Sequence, residues 1–102
     1  MSLDITIMDQ AGSPQESVSL TVDEHWAFMQ RARHMDLSLW NRMADYYEDA
    51  DYEVEEVARL TQETERLQRV FSEVDLAAKL REIVALLQVA TSRRNMVSAI
   101  AD

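Results

Sequence analysis

The chain opens on alternation. Leu3, Ile5 and Ile7 are separated by Asp4 and Thr6, and Val18, Leu20 and Val22 by Ser19 and Thr21. A period of two places each apolar trio on one face of a strand. Between the runs, Asp9-Gln10-Ala11-Gly12-Ser13-Pro14 holds the only Gly and the only Pro. These features predict a β-hairpin with a long loop. An isolated hairpin is marginal in water, so its apolar face needs cover from the residues that follow.

From residue 22 the period lengthens. Thr21 and Glu24 have the spacing of a capping box, which predicts a first helix from about Val22 to His34. Trp26, Met29, Ala32 and Arg33 mark its expected buried stripe, with Met35 at the exit. Asp36-Leu37-Ser38 reads as a break, and Asp36 or Ser38 then caps a second helix with Leu39, Trp40, Met43 and Tyr47 on one side. Ala50-Asp51 is the next break, with Asp51 capping a third helix in which Val57, Leu60, Thr64, Leu67 and Phe71 recur at steps of three and four. Ser72-Glu73-Val74-Asp75 introduces a fourth helix carrying Leu76, Leu80, Ile83, Leu87 and Ala90. Two long amphipathic helices joined by a short turn are expected to pack antiparallel. Residues 95–102 fit a helix end and a third strand beside the hairpin equally well. The expected fold is one mainly α domain over 1–102, comprising a hairpin (1–22), a four-helix core (22–94) and this tail.

Composition narrows the chemistry. With 102 residues the chain holds one modest core. A single Gly cannot write a dinucleotide fingerprint or a P-loop, and zero Cys removes disulfides, thiolate metal sites and Cys nucleophiles. The N-terminus lacks a basic n-region, and the densest apolar stretch, Ile83-Val84-Ala85-Leu86-Leu87, is interrupted by Gln88, far short of the roughly 20 residues a membrane span needs. A cytoplasmic location is expected. No cofactor is implied.

Charge changes the picture more. The net charge is −9. Residues 1–56 hold thirteen acids against Arg31, Arg33 and Arg42, a balance of −10, whereas residues 57–102 hold six acids against seven bases, or +1. Direct nucleic-acid binding through a basic surface does not fit this balance. The excess peaks at Asp45, Glu48, Asp49, Asp51, Glu53, Glu55 and Glu56, seven acids with no base among them. Crowded carboxylates repel one another, and a first helical turn benefits from only two or three. Tyr46, Tyr47 and Tyr52 are interleaved with them and offer contact area and a hydroxyl. The segment 45–56 is therefore the candidate partner-binding surface, complementary to a basic protein groove. A calcium loop fits its register at Asp45, Asp49, Asp51, Glu53 and Glu56, but Tyr47 and Ala50 occupy the positions that require a ligand and a glycine, so no metal is expected.

The remaining candidates favour structure over chemistry. His25 and His34 are nine residues apart, share no helix face and are expected at the surface or its boundary. Trp26 and Trp40 are expected in the core, whereas the exposure of Phe28 stays open. The leucine-rich seam of the last two helices serves an internal core or, alternatively, a homodimer. No Ser, His and Asp grouping has the context of a nucleophilic triad.

With its acidic helical body, its hairpin start and the Asp45-Tyr46-Tyr47-Glu48-Asp49 run after Trp40, the chain resembles the small cytosolic immunity proteins of bacterial polymorphic-toxin and secretion-system loci. The Met-Ser-Leu-Asp-Ile opening and the Ala-Ile-Ala-Asp end share in that resemblance. It implies a non-enzymatic inhibitor whose partner is a basic toxin or nuclease-like effector domain, neutralised by covering its cleft. The rival readings are a self-associating helical adaptor and a nucleic-acid mimic that inhibits a DNA-binding complex.

Overall fold

In a computed structural model describing residues 1–102, the opening alternation forms the expected hairpin, β1 (Leu3–Met8) paired antiparallel with β2 (Pro14–Leu20). Leu3 faces Leu20 and Ile5 faces Val18, so these four share one face; Val22, expected with them, is instead the exposed first residue of the following helix. The loop turns at Gly12, whose φ of +81° suits a residue without a Cβ. Asp9 holds the loop from inside, its carboxylate accepting from the backbone N–H groups of Ala11 and Ser13.

Helix α1 (Val22–Ala32) starts on the predicted capping box: Glu24 N–H donates to Thr21 Oγ1, and Thr21 N–H donates to the Glu24 carboxylate. The second predicted helix does not form. Asp36 takes a left-handed backbone (φ 57°), which breaks the helical path. A single 3₁₀ turn at Trp40–Met43 is all that remains of it. Asp45 then accepts the Tyr47 N–H at 2.9 Å, a local bond that competes with helix continuation.

The third predicted helix begins later than its expected cap. Asp51 lies within β3 (Ala50–Tyr52), and α2 runs Val54–Gln68. A five-residue connection leads to α3 (Val74–Arg93), which packs against α2. The start of α2 lies beside the end of α3, so the pair is antiparallel as expected. Arg94 closes α3 in the left-handed conformation, and the chain returns as β4 (Met96–Ala101).

The four-stranded sheet has the order β2-β1-β4-β3, antiparallel throughout. Residues 96–101 therefore do more than flank the hairpin: they form an inner strand bonded on both sides. Leu3, Ile5, Ile7, Leu20, Ala50, Tyr52, Val97 and Ala99 face the helices and are buried. The opposite face carries Asp4, Thr6, Ser17, Ser19, Asp51 and Ser98 and has no helix over it.

This architecture corrects the expected four-helix core. The fold is α+β, three α-helices on one face of a four-stranded antiparallel sheet. Two segments account for the difference. Residues 37–49 bury Leu37, Leu39, Trp40 and Met43 with a single 3₁₀ turn in place of a helix, and residues 50–52 and 96–101 join the sheet.

The irregular 37–49 segment is held from α2. The buried Glu63 carboxylate accepts from Leu39 N–H and from Trp40 N–H at 3.0 Å, taking the free donors at the start of the 3₁₀ turn. Trp40 Nε1–H donates to Thr64 Oγ1 at 2.9 Å, and Tyr52 Oη–H donates to Leu39 O at 2.6 Å.

Candidate functional site

The seven carboxylates of 45–56 do not share one surface element. Asp45 and Asp49 sit in the turn before β3, Asp51 is on the uncovered sheet face, Glu53 is the N-cap of α2, and Glu55 and Glu56 lie in its first turn. Several have structural tasks within the chain. Asp45 shapes the turn through Tyr47 N–H; Asp49 accepts from Ala101 N–H at 2.8 Å and ties down the end of β4. Asp51 accepts from Ser98 Oγ–H at 2.6 Å across the β3–β4 pair.

Glu56 accepts from both terminal nitrogens of Arg42 and from Glu53 N–H. Those bonds, the Arg42 pair foremost, pull its pKa down to about 2. The same pair raises the pKa of Arg42. Glu53 caps α2 through a capping box with Glu56, which leaves Glu48 and Glu55 as the exposed carboxylates of the run with no hydrogen bond or ion pair within the chain. The crowding inferred from sequence is thus relieved in part by internal bonds, and the charge left for another molecule is smaller than the run suggests.

The tyrosines divide as well. Tyr46 is buried and donates its hydroxyl to Leu20 O at 3.1 Å; Tyr52 is fully buried. Burial raises the pKa of both phenols. Neither ring offers the contact area expected of it. Tyr47 does, at 64% exposure.

An element outside the acidic run completes the surface. Trp26 was expected in the core but is 63% exposed, and Val22, one helical turn before it, is 51% exposed. The core face of α1 keeps the expected Met29 and Ala32 but is completed by His25 and Phe28 rather than by Trp26 and Arg33. His25, Phe28, Met29 and Ala32 also have helical spacing, and Phe28, one turn before Ala32, is the signal for that face. Arg33 is likewise exposed. Trp40 and Phe28 are buried, their rings edge to face at 6.0 Å.

His25 also departs from expectation. It is buried, and its Nε2 lies 2.5 Å from Met43 O. A carbonyl only accepts, so the proton is on Nε2. The ring packs against Tyr46 at 5.2 Å, and Tyr46 meets Tyr47 edge to face at 5.4 Å. His34 is exposed, as expected.

This ladder of rings fixes the 44–47 turn beside α1. Between them lies an open groove of about 500 Å³. Met29 and Tyr46 form its floor, Trp26, Tyr47 and Val22 its walls, and Asp45 lies on its rim. Arg33 also lines it. A second recess of about 390 Å³ lies where the hairpin loop meets the start of β4, lined by Asp9, Asp51, Arg94 and Ser98 among others. Its carboxylates are engaged: Asp9 in the loop and Asp51 with Ser98.

No helix is long and apolar enough to cross a membrane. The leucine-rich seam of α2 and α3, Leu60, Leu67, Leu80, Ile83 and Leu87, is buried within the single chain, as an internal core requires. No family model, curated protein or solved structure matches this chain.

Proposed function

We propose that this chain is a non-enzymatic binding protein that neutralises a basic protein partner, in the manner of an immunity protein occluding the cleft of a toxin or nuclease-like effector in the cytosol. The supporting observation is the exposed, carboxylate-rich turn 45–49 and the acidic first turn of α2, within a chain half that carries a balance of −10. Carboxylates in such a surface occupy positions that suit Lys and Arg side chains, or the places of phosphates where the covered cleft normally holds nucleic acid. Their long-range field speeds encounter, and salt weakens it.

The choice of test residues follows from the bonding. Asp49, Asp51 and Glu56 hold β4, Ser98 and Arg42, so replacing them perturbs the fold along with the surface. Glu48 and Glu55 are exposed. Glu48→Lys with Glu55→Lys is expected to keep the melting temperature and to slow association with the captured basic partner by about tenfold at low salt. Stopped-flow or surface-based kinetics measure this. Unchanged association at low ionic strength would remove the acidic segment as the docking surface.

A further inference from the structure

The groove between α1 and the 44–47 turn is the feature of this molecule least explained by folding. Trp26 and Tyr47 are the largest exposed aromatic side chains, and both line it. Exposed apolar surface gathered at a concavity marks an interaction site more often than scattered exposure does, and Trp and Tyr are the residues on which binding energy concentrates. The carboxylate run, by contrast, is a rim: exposed charges steer an encounter, and exposed ion pairs add little affinity.

The groove's own chemistry selects its occupant. The faces of Trp and Tyr rings attract cations. Asp45 is exposed at the rim, and only one oxygen of its carboxylate is used, to accept from Tyr47 N–H. The Tyr46 ring rests on His25, and its hydroxyl reaches Leu20 O, which places the turn over the N-terminal half of α1. Arg33 stands two turns of helix beyond Trp26, at the other end, with its Nε–H donating to Met29 O. Of the two charged side chains lining the groove, Asp45 suits a positive group and keeps a free carboxylate oxygen for it, whereas Arg33 is turned back onto Met29 O.

We infer that this groove is the anchor of the interface proposed above and receives an Arg or Lys side chain of the protein partner, its stem lying between Trp26 and Tyr47 and its cationic head meeting Asp45. The inference rests on the binding role proposed in the preceding subsection. It adds the site that holds the complex together and the kind of residue the partner must project. A partner lacking a protruding base beside an apolar neighbour would be steered to the surface and then released.

A short basic peptide serves as the probe. The acetylated, amidated hexapeptide Gly-Leu-Arg-Leu-Arg-Gly is titrated into the isotopically labelled protein, alongside its counterpart with glutamine in place of arginine. Amide and indole signals report the site, and fluorescence reports Trp26, because Trp40 is fully buried. The arginine peptide is expected to shift Trp26, Tyr47 and Asp45, to move the indole emission to the blue and to bind at least about tenfold better than the glutamine peptide. Trp26→Ala and Tyr47→Ala are each expected to weaken it about tenfold, with Trp26→Phe retaining most of the binding. Both side chains are exposed, so unchanged emission of Trp40, the one Trp left in Trp26→Ala, and unchanged thermal unfolding of both variants verify the fold.

Equal binding of the two peptides, or undiminished binding to Trp26→Ala, would overturn the inference. Shifts confined to Glu48 and Glu55 would overturn the groove and leave the acidic docking surface standing. No shift at up to about 5 mM peptide, the scale of the weakest specific contacts, would remove both. Sedimentation that shows a dimer dissociated by Trp26→Ala would assign the groove to a second copy of this chain instead.

Discussion

Glu63 is a buried carboxylate with no cation paired to it. Its stability comes from the N–H groups of Leu39 and Trp40, charge-assisted bonds that fix an otherwise irregular stretch against α2. Glu63→Gln keeps one acceptor oxygen but loses the charge and adds donors facing donors; it is expected to cost about 1–3 kcal/mol. Glu63→Ala, which strands two buried N–H groups, is expected to cost more. Urea unfolding followed by Trp40 fluorescence measures both. Glu56 makes the complementary case at the surface. Its folded pKa of about 2 lies below the ordinary 4.5, so the stability it contributes is fully present above about pH 4.5 and is lost as pH falls toward 2. The urea midpoint of the native chain is expected to fall more steeply over that window than that of Glu56→Gln, with the two curves converging near pH 2.

At the scale of elements, what was legible in the sequence is what local rules decide. Alternation in Leu3–Ile7 and around Val18 and Leu20, the Thr21/Glu24 box and the leucine spacing of α2 and α3 each act within a few residues, and each element formed, with β2 ending at Leu20 rather than Val22. Three features escaped. Ala50 and Tyr52 alternate with Asp51 and Glu53, but the density of acids hid a three-residue strand whose identity depends on β4. Residues 37–49 carry helical spacing, yet their conformation is set by Glu63 and Thr64, more than twenty positions away. The α1 stripe holds at Met29 and Ala32 but continues through His25 and Phe28 rather than Trp26 and Arg33, and this leaves Trp26 outward as half of the groove. The sheet's edges are protected by long-range contacts too: Lys79 donates to Ser19 O on β2, and Arg42 donates to Asp51 O on β3. Inner strands should be the slowest to open. Amide exchange is expected to be slowest at Ile5, Ile7, Val97 and Ala99 and faster at Gln15, Ser17 and Asp51, as measured by NMR at several denaturant concentrations.

For the whole molecule, the charge asymmetry seen along the chain does not translate into a single negative face. The acids of the first half are distributed over the hairpin loop, the start of α1, the 44–49 turn and the uncovered sheet face. Some of the bases of the second half reach back to them, as Arg93 does to Glu16 and Lys79 to Glu24. Both pairs span distant parts of the sequence; Arg93–Glu16 is solvent-exposed and Lys79–Glu24 is long at 3.9 Å, so the worth of each is small and salt-dependent. Salt is therefore expected to act on the encounter with a partner far more than on the fold.

The position of β4 between β1 and β3 has a consequence for how the molecule comes into being. Leu3 is matched with Ala101, so the central ladder joins residues far apart in sequence. A nascent chain on the ribosome can assemble α1 and the α2–α3 pair early, yet its hairpin has no neighbour on that side, and Asp49 and Ser98 cannot find their bonds, until Met96–Ala101 has cleared the exit tunnel. Closure of the sheet thus waits on contacts of high contact order, and the chain presents an open β1 edge until they form.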